Sequence, residues 1–122
     1  MPLPDSPQNM GVMFLLRTRL SGKPENITNV LDIKTSTFDE SRPTKVLIHG
    51  YKFMGKSLAS WVPRMADAVL KKEDVNVIMV DWVKGAAVFY DNAVSNTRMV
   101  GVIINKYLKN LMVSLMLQQI AF

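Results

Sequence analysis

The chain contains no cysteine, which excludes disulfides and thiolate metal sites and leaves its redox compartment unmarked. It has one histidine, His49, so imidazole chemistry has a single place to occur. Neither a metal site nor a cofactor is expected. Long uncharged apolar runs are missing as well. Residues 111–122 carry no charge, but they fall short of the roughly 20 residues that a spanning helix needs, and Lys106 and Lys109 interrupt the stretch upstream. No transmembrane segment is expected. Nor does the start look like a signal peptide, since no cationic region precedes the short apolar run Met10–Leu16, which follows an acid, Asp5.

What is present describes one small globular domain. The 122 residues suit a single core, and 48% hydrophobic with 20% charged residues is not the composition of a disordered tail. The net charge of +5 would invite a nucleic-acid reading if the cations gathered on one face. They do not gather: Lys71-Lys72 is followed at once by Glu73-Asp74, and the others are scattered from Arg17 to Lys109. No nucleic-acid partner is expected. The nine methionines read as gap-filling core residues.

Punctuation and periodicity give an α/β order. Val12–Leu16 is a compact apolar run closed by the turn-rich Ser21-Gly22-Lys23-Pro24-Glu25-Asn26, which predicts a short strand and a surface loop. Asn26-Ile27-Thr28 is a glycosylation sequon, able to carry a glycan if the protein is secreted. Leu31–Phe38 is β-tolerant, and Asp39-Glu40-Ser41-Arg42-Pro43 is a turn. Lys45–His49 and Val75–Trp82 are unbroken apolar runs, the pattern of parallel strands buried on both faces. Between them Leu58, Val62, Met65 and Val69 recur at helical spacing, with Ser60 as N-cap and Pro63 tolerated in the first turn. That makes a βαβ unit. A second helical stripe runs through Val100, Ile103, Ile104, Tyr107, Leu108, Leu111, Met112, Leu115 and Met116.

Two chemistries compete for the loop after the first buried strand. Gly50-Tyr51-Lys52-Phe53-Met54-Gly55-Lys56-Ser57 fits P-loop spacing, and Asp81 ends the next strand where a magnesium ligand would stand. Against a nucleotide, a phosphate-wrapping backbone needs small residues, and Tyr51, Phe53 and Met54 are bulky. The alternative is an oxyanion hole, in which the backbone N–H just past His49-Gly50 points at charge developing on an ester carbonyl.

The second alternative has company along the chain. Phe14-Leu15-Leu16-x-Thr18, the Thr44–Tyr51 segment with its His-Gly-aromatic ending, Trp61, Asn76-Val77-Ile78-x-Val80-Asp81-Trp82, and then Tyr90, Ala93, Asn96, Arg98, Val100 and Gly101 occur in order. Together they resemble the pancreatic-type lipase family of α/β-hydrolases. The resemblance covers residues 12–110 of a single partial domain, 1–122, with a divergent apolar tail at 111–122. It implies an incomplete α/β-hydrolase fold with a mainly parallel sheet, a secreted, extracellular protein, and in complete form a carboxylic ester hydrolase acting on acylglycerols or phospholipids. It also implies that Tyr51 gives an oxyanion-hole N–H, with His49 and Gly50 shaping the turn, and that the partner is a lipid ester or lipid interface.

The family's catalytic residues are not in this sequence. Its nucleophile lies in a Gly-x-Ser-x-Gly elbow on the strand that follows the Val100 helix, with the acid and base beyond. The nearest imitation, Gly55-Lys56-Ser57-Leu58-Ala59, precedes the Asp81 strand and ends in alanine. A shortened or alternatively ended product, or an incomplete gene model, is therefore expected, inactive alone. Its Val77–Val80 strand edge and Val100 helix face would be left open to self-association. A lipase-like chain kept as a non-catalytic lipid- or protein-binding module is the other possibility.

Overall fold

The computed structural model describes residues 3–4, 11–50, 61–86 and 90–120. Strand β1 (Met13–Arg17) is followed by the two-residue β2 (Glu25–Asn26), a 3-10 turn at Val30–Thr35, and β3 (Thr44–Ile48). Helix α1 (Trp61–Lys72), β4 (Asn76–Asp81), the short α2 (Val83–Ala86) and the 31-residue α3 (Tyr90–Ile120) complete the order.

The layering follows from the period of two in β4. Val77 and Met79 pack against Val62, Ala66 and Leu70 of α1, while Ile78 and Val80 pack with Phe14 and Leu16 of β1 and with Tyr107 and Leu111 of α3. One helix therefore covers each face. Phe14 stacks on Tyr107 with ring centroids 3.7 Å apart and planes within 4°. The Tyr107 hydroxyl donates to the Ile27 carbonyl, and burial pushes its phenol well above the ordinary range, so it stays a neutral donor.

The sheet runs β2-β1-β4-β3, and it is mixed, not mainly parallel. Only β3 and β4 are parallel; β1 is antiparallel to both β2 and β4. Residues 18–24 are enough to reverse the chain between β1 and β2, whereas a parallel pair needs the long crossover that residues 49–75 supply. β4 is interior, so the expected open edge at Val77–Val80 is corrected: β2 and β3 are the outer strands. For the same reason β3 is not buried on both faces. Thr44, Lys45 and Ile48 are exposed, with Val46 and Leu47 half-buried.

Local chemistry explains two further departures. Leu31–Phe38, β-tolerant by composition, holds the 3-10 turn because the Asn29 side chain accepts the Leu31 N–H at 3.0 Å and caps it. On α1 the inward stripe is Val62, Ala66 and Leu70, and Met65 points out at 46% exposure. Small Ala66 lets the helix lie close to the sheet. Pro63 falls in the first turn, where its missing N–H costs nothing; Leu58 and Ser60 lie outside the described residues.

Asn76 fixes the approach to β3. Fully buried, its Nδ2 donates to the Asp39 carbonyl at 2.7 Å and its Oδ1 accepts the Asp39 N–H at 2.9 Å, while its backbone N–H donates to the Pro43 carbonyl. Asn76→Ala strands these groups, and a loss of about 2 kcal/mol is expected, read as a lower urea midpoint with unchanged slope.

α3 is longer than the sequence stripe suggested. It begins at Tyr90 and spans about 46 Å at 1.5 Å per residue, against strands of five or six residues. Val100, Tyr107 and Leu111 are buried, but Val102, Met112, Val113, Met116 and Leu117 are each more than half exposed. Its Asn92–Leu117 segment is long and apolar enough to cross a membrane by length and composition, which the shorter uncharged run at 111–122 did not reveal. Here one side of that helix packs on the sheet.

Candidate functional site

The C-terminal ends of the two parallel strands meet in a clasp between His49 and Trp82. His49, 2% exposed, follows the last residue of β3, and Trp82 follows the last residue of β4. The Trp82 backbone N–H donates to His49 Nε2 at 3.0 Å, and the indole N–H donates to the His49 carbonyl at 2.8 Å. Because Nε2 accepts, the ring proton sits on Nδ1, which donates to the Gly50 carbonyl at 2.8 Å. The rings lie 12° from parallel with centroids 5.3 Å apart. Both imidazole nitrogens are engaged with backbone, so His49 positions the chain as it leaves β3 and has no nitrogen left to take a substrate proton.

Beside the clasp lies an apolar slot of about 380 Å³, walled by Ile48, Gly50 and Trp82 on the sheet side and by Thr97, Val100 and Gly101 of α3. Among the described residues no Asp, Glu, Lys or Arg lines it. Thr97, the hydroxyl at its rim, donates back to the Val94 carbonyl at 2.6 Å and is not activated as a nucleophile. A Cβ built on Gly50 or on Gly101 meets nothing within 4 Å. Two glycines thus border open space across one slot, and packing among the described residues requires neither of them.

A family profile described as Lipase matches residues 2–120. The chain belongs to the lipase family. Among curated relatives, phospholipase A1 member A of Bos taurus is 38% identical over 105 residues, 85% of this chain and 23% of that protein. Inactive pancreatic lipase-related protein 1 of Homo sapiens is 39% identical over 104 residues, covering 81% and 21%, and pancreatic triacylglycerol lipase of Equus caballus is 37% identical over 103 residues, covering 81% and 22%. This lipase-family chain spans a little over a fifth of the length of the curated relatives it matches. Its α/β architecture is the part of a lipase that such a span holds.

Of the residues that the sequence singled out, the fold brings His49 and Gly50 to the slot. Tyr51, the expected oxyanion donor, lies outside the described residues, as does the P-loop stretch from Tyr51 to Ser57. Asp81, wanted there as a magnesium ligand, accepts the Val83 N–H at 3.1 Å and opens α2. Among the described residues no cluster of three metal-ligating side chains occurs. Asn96, one of the residues that carry the resemblance, donates to the Gly85 carbonyl at 2.9 Å. Asn26 is far from the slot, on outer strand β2. Sequence reasoning missed the Trp82 partnership with His49. The signal was there in principle, an aromatic donor and a lone histidine each one residue past the end of adjacent parallel strands.

Proposed function

We propose that this chain is the N-terminal part of a secreted, extracellular carboxylic ester hydrolase acting on acylglycerols or phospholipids, and that it is inactive by itself. The observation that carries the reading is the slot between Gly50 and Gly101, open on both glycines and adjoining the outer edge of β3. Topology supports a further parallel strand as its occupant. The crossover through α1 carries the chain from β3 to β4 on one face; a right-handed return through α3 on the other face moves the opposite way. β1 already flanks β4, so the next parallel strand would add beside β3. An elbow serine at the top of that strand would stand next to Gly50, and the Tyr51 N–H would form half of the oxyanion hole. The same strand, in place of a second copy of this chain, would cover the β3 edge.

Names of relatives agree in kind, one a phospholipase A1 and one a triacylglycerol lipase. A non-catalytic lipase-like module is the second reading, favoured by an apolar slot whose only histidine is fully engaged and by a relative named as inactive.

Sequencing the transcript past the Phe122 codon is the test. An in-frame Gly-x-Ser-x-Gly with later Asp and His is expected, and the longer protein should hydrolyse a phospholipid or triacylglycerol emulsion. Replacing the elbow serine by alanine should lower that rate on the order of 10⁶-fold, and residues 1–122 alone should give none above buffer. A stop codon after Phe122 in abundant message sinks the enzyme reading and leaves the binding module.

A further inference from the structure

Asn26-Ile27-Thr28 is the one Asn-x-Ser/Thr sequence in the chain, and the fold puts it where a large adduct costs nothing. Asn26 is exposed on β2, an outer strand at the opposite side of the sheet from β3. Its Oδ1 accepts the Thr28 N–H at 3.0 Å, an Asx turn that fixes the amide. Among the described residues the Nδ2 has one weak contact, 4.0 Å from Met13 Sδ. The backbone around it is held firmly. Ile27 is fully buried, its N–H donates to the Phe14 carbonyl at 2.9 Å, and its carbonyl accepts the Tyr107 hydroxyl. Asn26 itself remains exposed beside that buried anchor.

We infer that Asn26 carries an N-linked glycan, added before β1 and β2 pair. This rests on the secreted reading above. The donor class is an oligosaccharide linked to a lipid pyrophosphate. The Asn26 amide nitrogen forms a bond to the first sugar's anomeric carbon, the bond from that carbon to the pyrophosphate oxygen breaks with its electron pair leaving on the pyrophosphate, and one amide proton is released.

Timing follows from the hydrogen bonds. In the folded chain the Thr28 hydroxyl accepts the Phe14 N–H at 2.9 Å and Ile27 is inside the core, so the three residues cannot present themselves together to a transferase. They are free to do so only while the chain is still extended. Once β2 docks, the sugar stands beside the exposed Met13 at the margin of the sheet, where bulk opposes edge-to-edge pairing of β2 with another chain.

The experiment is translation of residues 1–122 behind a heterologous secretory leader in the presence of microsomes, scoring only chains protected from added protease. Transfer precedes folding, so a variant that misfolds still reports. Protected chains are expected to show one mobility shift that peptide-N-glycosidase removes, leaving aspartate at position 26 in the peptide mass. Asn26→Gln and Thr28→Val should abolish the shift, and Thr28→Ser should keep it. Protected but unshifted parent chains would overturn the inference, as would a shift that survives Asn26→Gln. Secretion itself is judged on the natural protein in culture medium, so the two readings fail separately.

Discussion

His49→Ala is expected to destabilise the chain by about 3 kcal/mol, a large share of the roughly 5–15 kcal/mol that holds a typical domain together. Alanine removes the acceptor of the buried Trp82 N–H and the donor to the Gly50 carbonyl. An orphaned buried N–H costs about 1–3 kcal/mol, and the vacated ring volume adds to it. The readout is the urea midpoint. His49→Gln should recover part of the loss, because its amide oxygen can accept the Trp82 N–H. Trp82→Phe should cost about 1 kcal/mol from the indole hydrogen bond to the His49 carbonyl, and the two changes should couple, since the rings stack. A His49→Ala cost below 1 kcal/mol would show that the strand ends are held by something else. Were His49 a general base, the conservative variant would restore stability and leave hydrolysis by the complete protein abolished. The clasp predicts that activity returns with stability.

Much of the fold was legible because its signals are local. The apolar runs of β1, β3 and β4 lie within a residue or two of where they were expected, and the stripe of α3 from Val100 to Leu111 supplies buried residues as its spacing required. Direction and neighbours were not legible. Phe14 and Leu16 mark a strand with one strongly buried face, but five apolar residues carry no sign of whether the strand beside them runs parallel. Val46 and Leu47 read as interior-strand residues, yet among the described residues β3 has one neighbour, β4, and its composition alone does not count its neighbours. The site shows the same division. The turn at His49-Gly50 stood out in sequence as a motif, whereas the Trp82 contact that holds it joins residues 33 apart in the chain, a separation at which periodicity says nothing.

The two slot glycines give the second large effect, and it changes with the length of the protein. Within residues 1–122, Gly101→Ala should stabilise the fold by about 1 kcal/mol, since Ala is the better helix former and its Cβ meets nothing within 4 Å. Gly50→Ala should fall within about 0.5 kcal/mol of neutral for the same spatial reason. In a longer protein of the kind proposed the Gly101 outcome should reverse, because the added strand would then stand against the slot. Gly50→Val is expected to lower kcat/KM about a hundredfold there, the scale of rate lost when a reacting group is displaced by about 1 Å, with kcat falling more than KM rises. Gly101→Ala should lower the unfolding temperature of the longer protein while raising that of the short one. Equal signs in both lengths would mean that nothing enters the slot, and the argument that a strand adds beside β3 would fail with it. Opposite signs are hard to obtain otherwise, because a helix-propensity gain is a property of α3 and travels with it into either protein; only a new neighbour within reach of the added methyl group can cancel it.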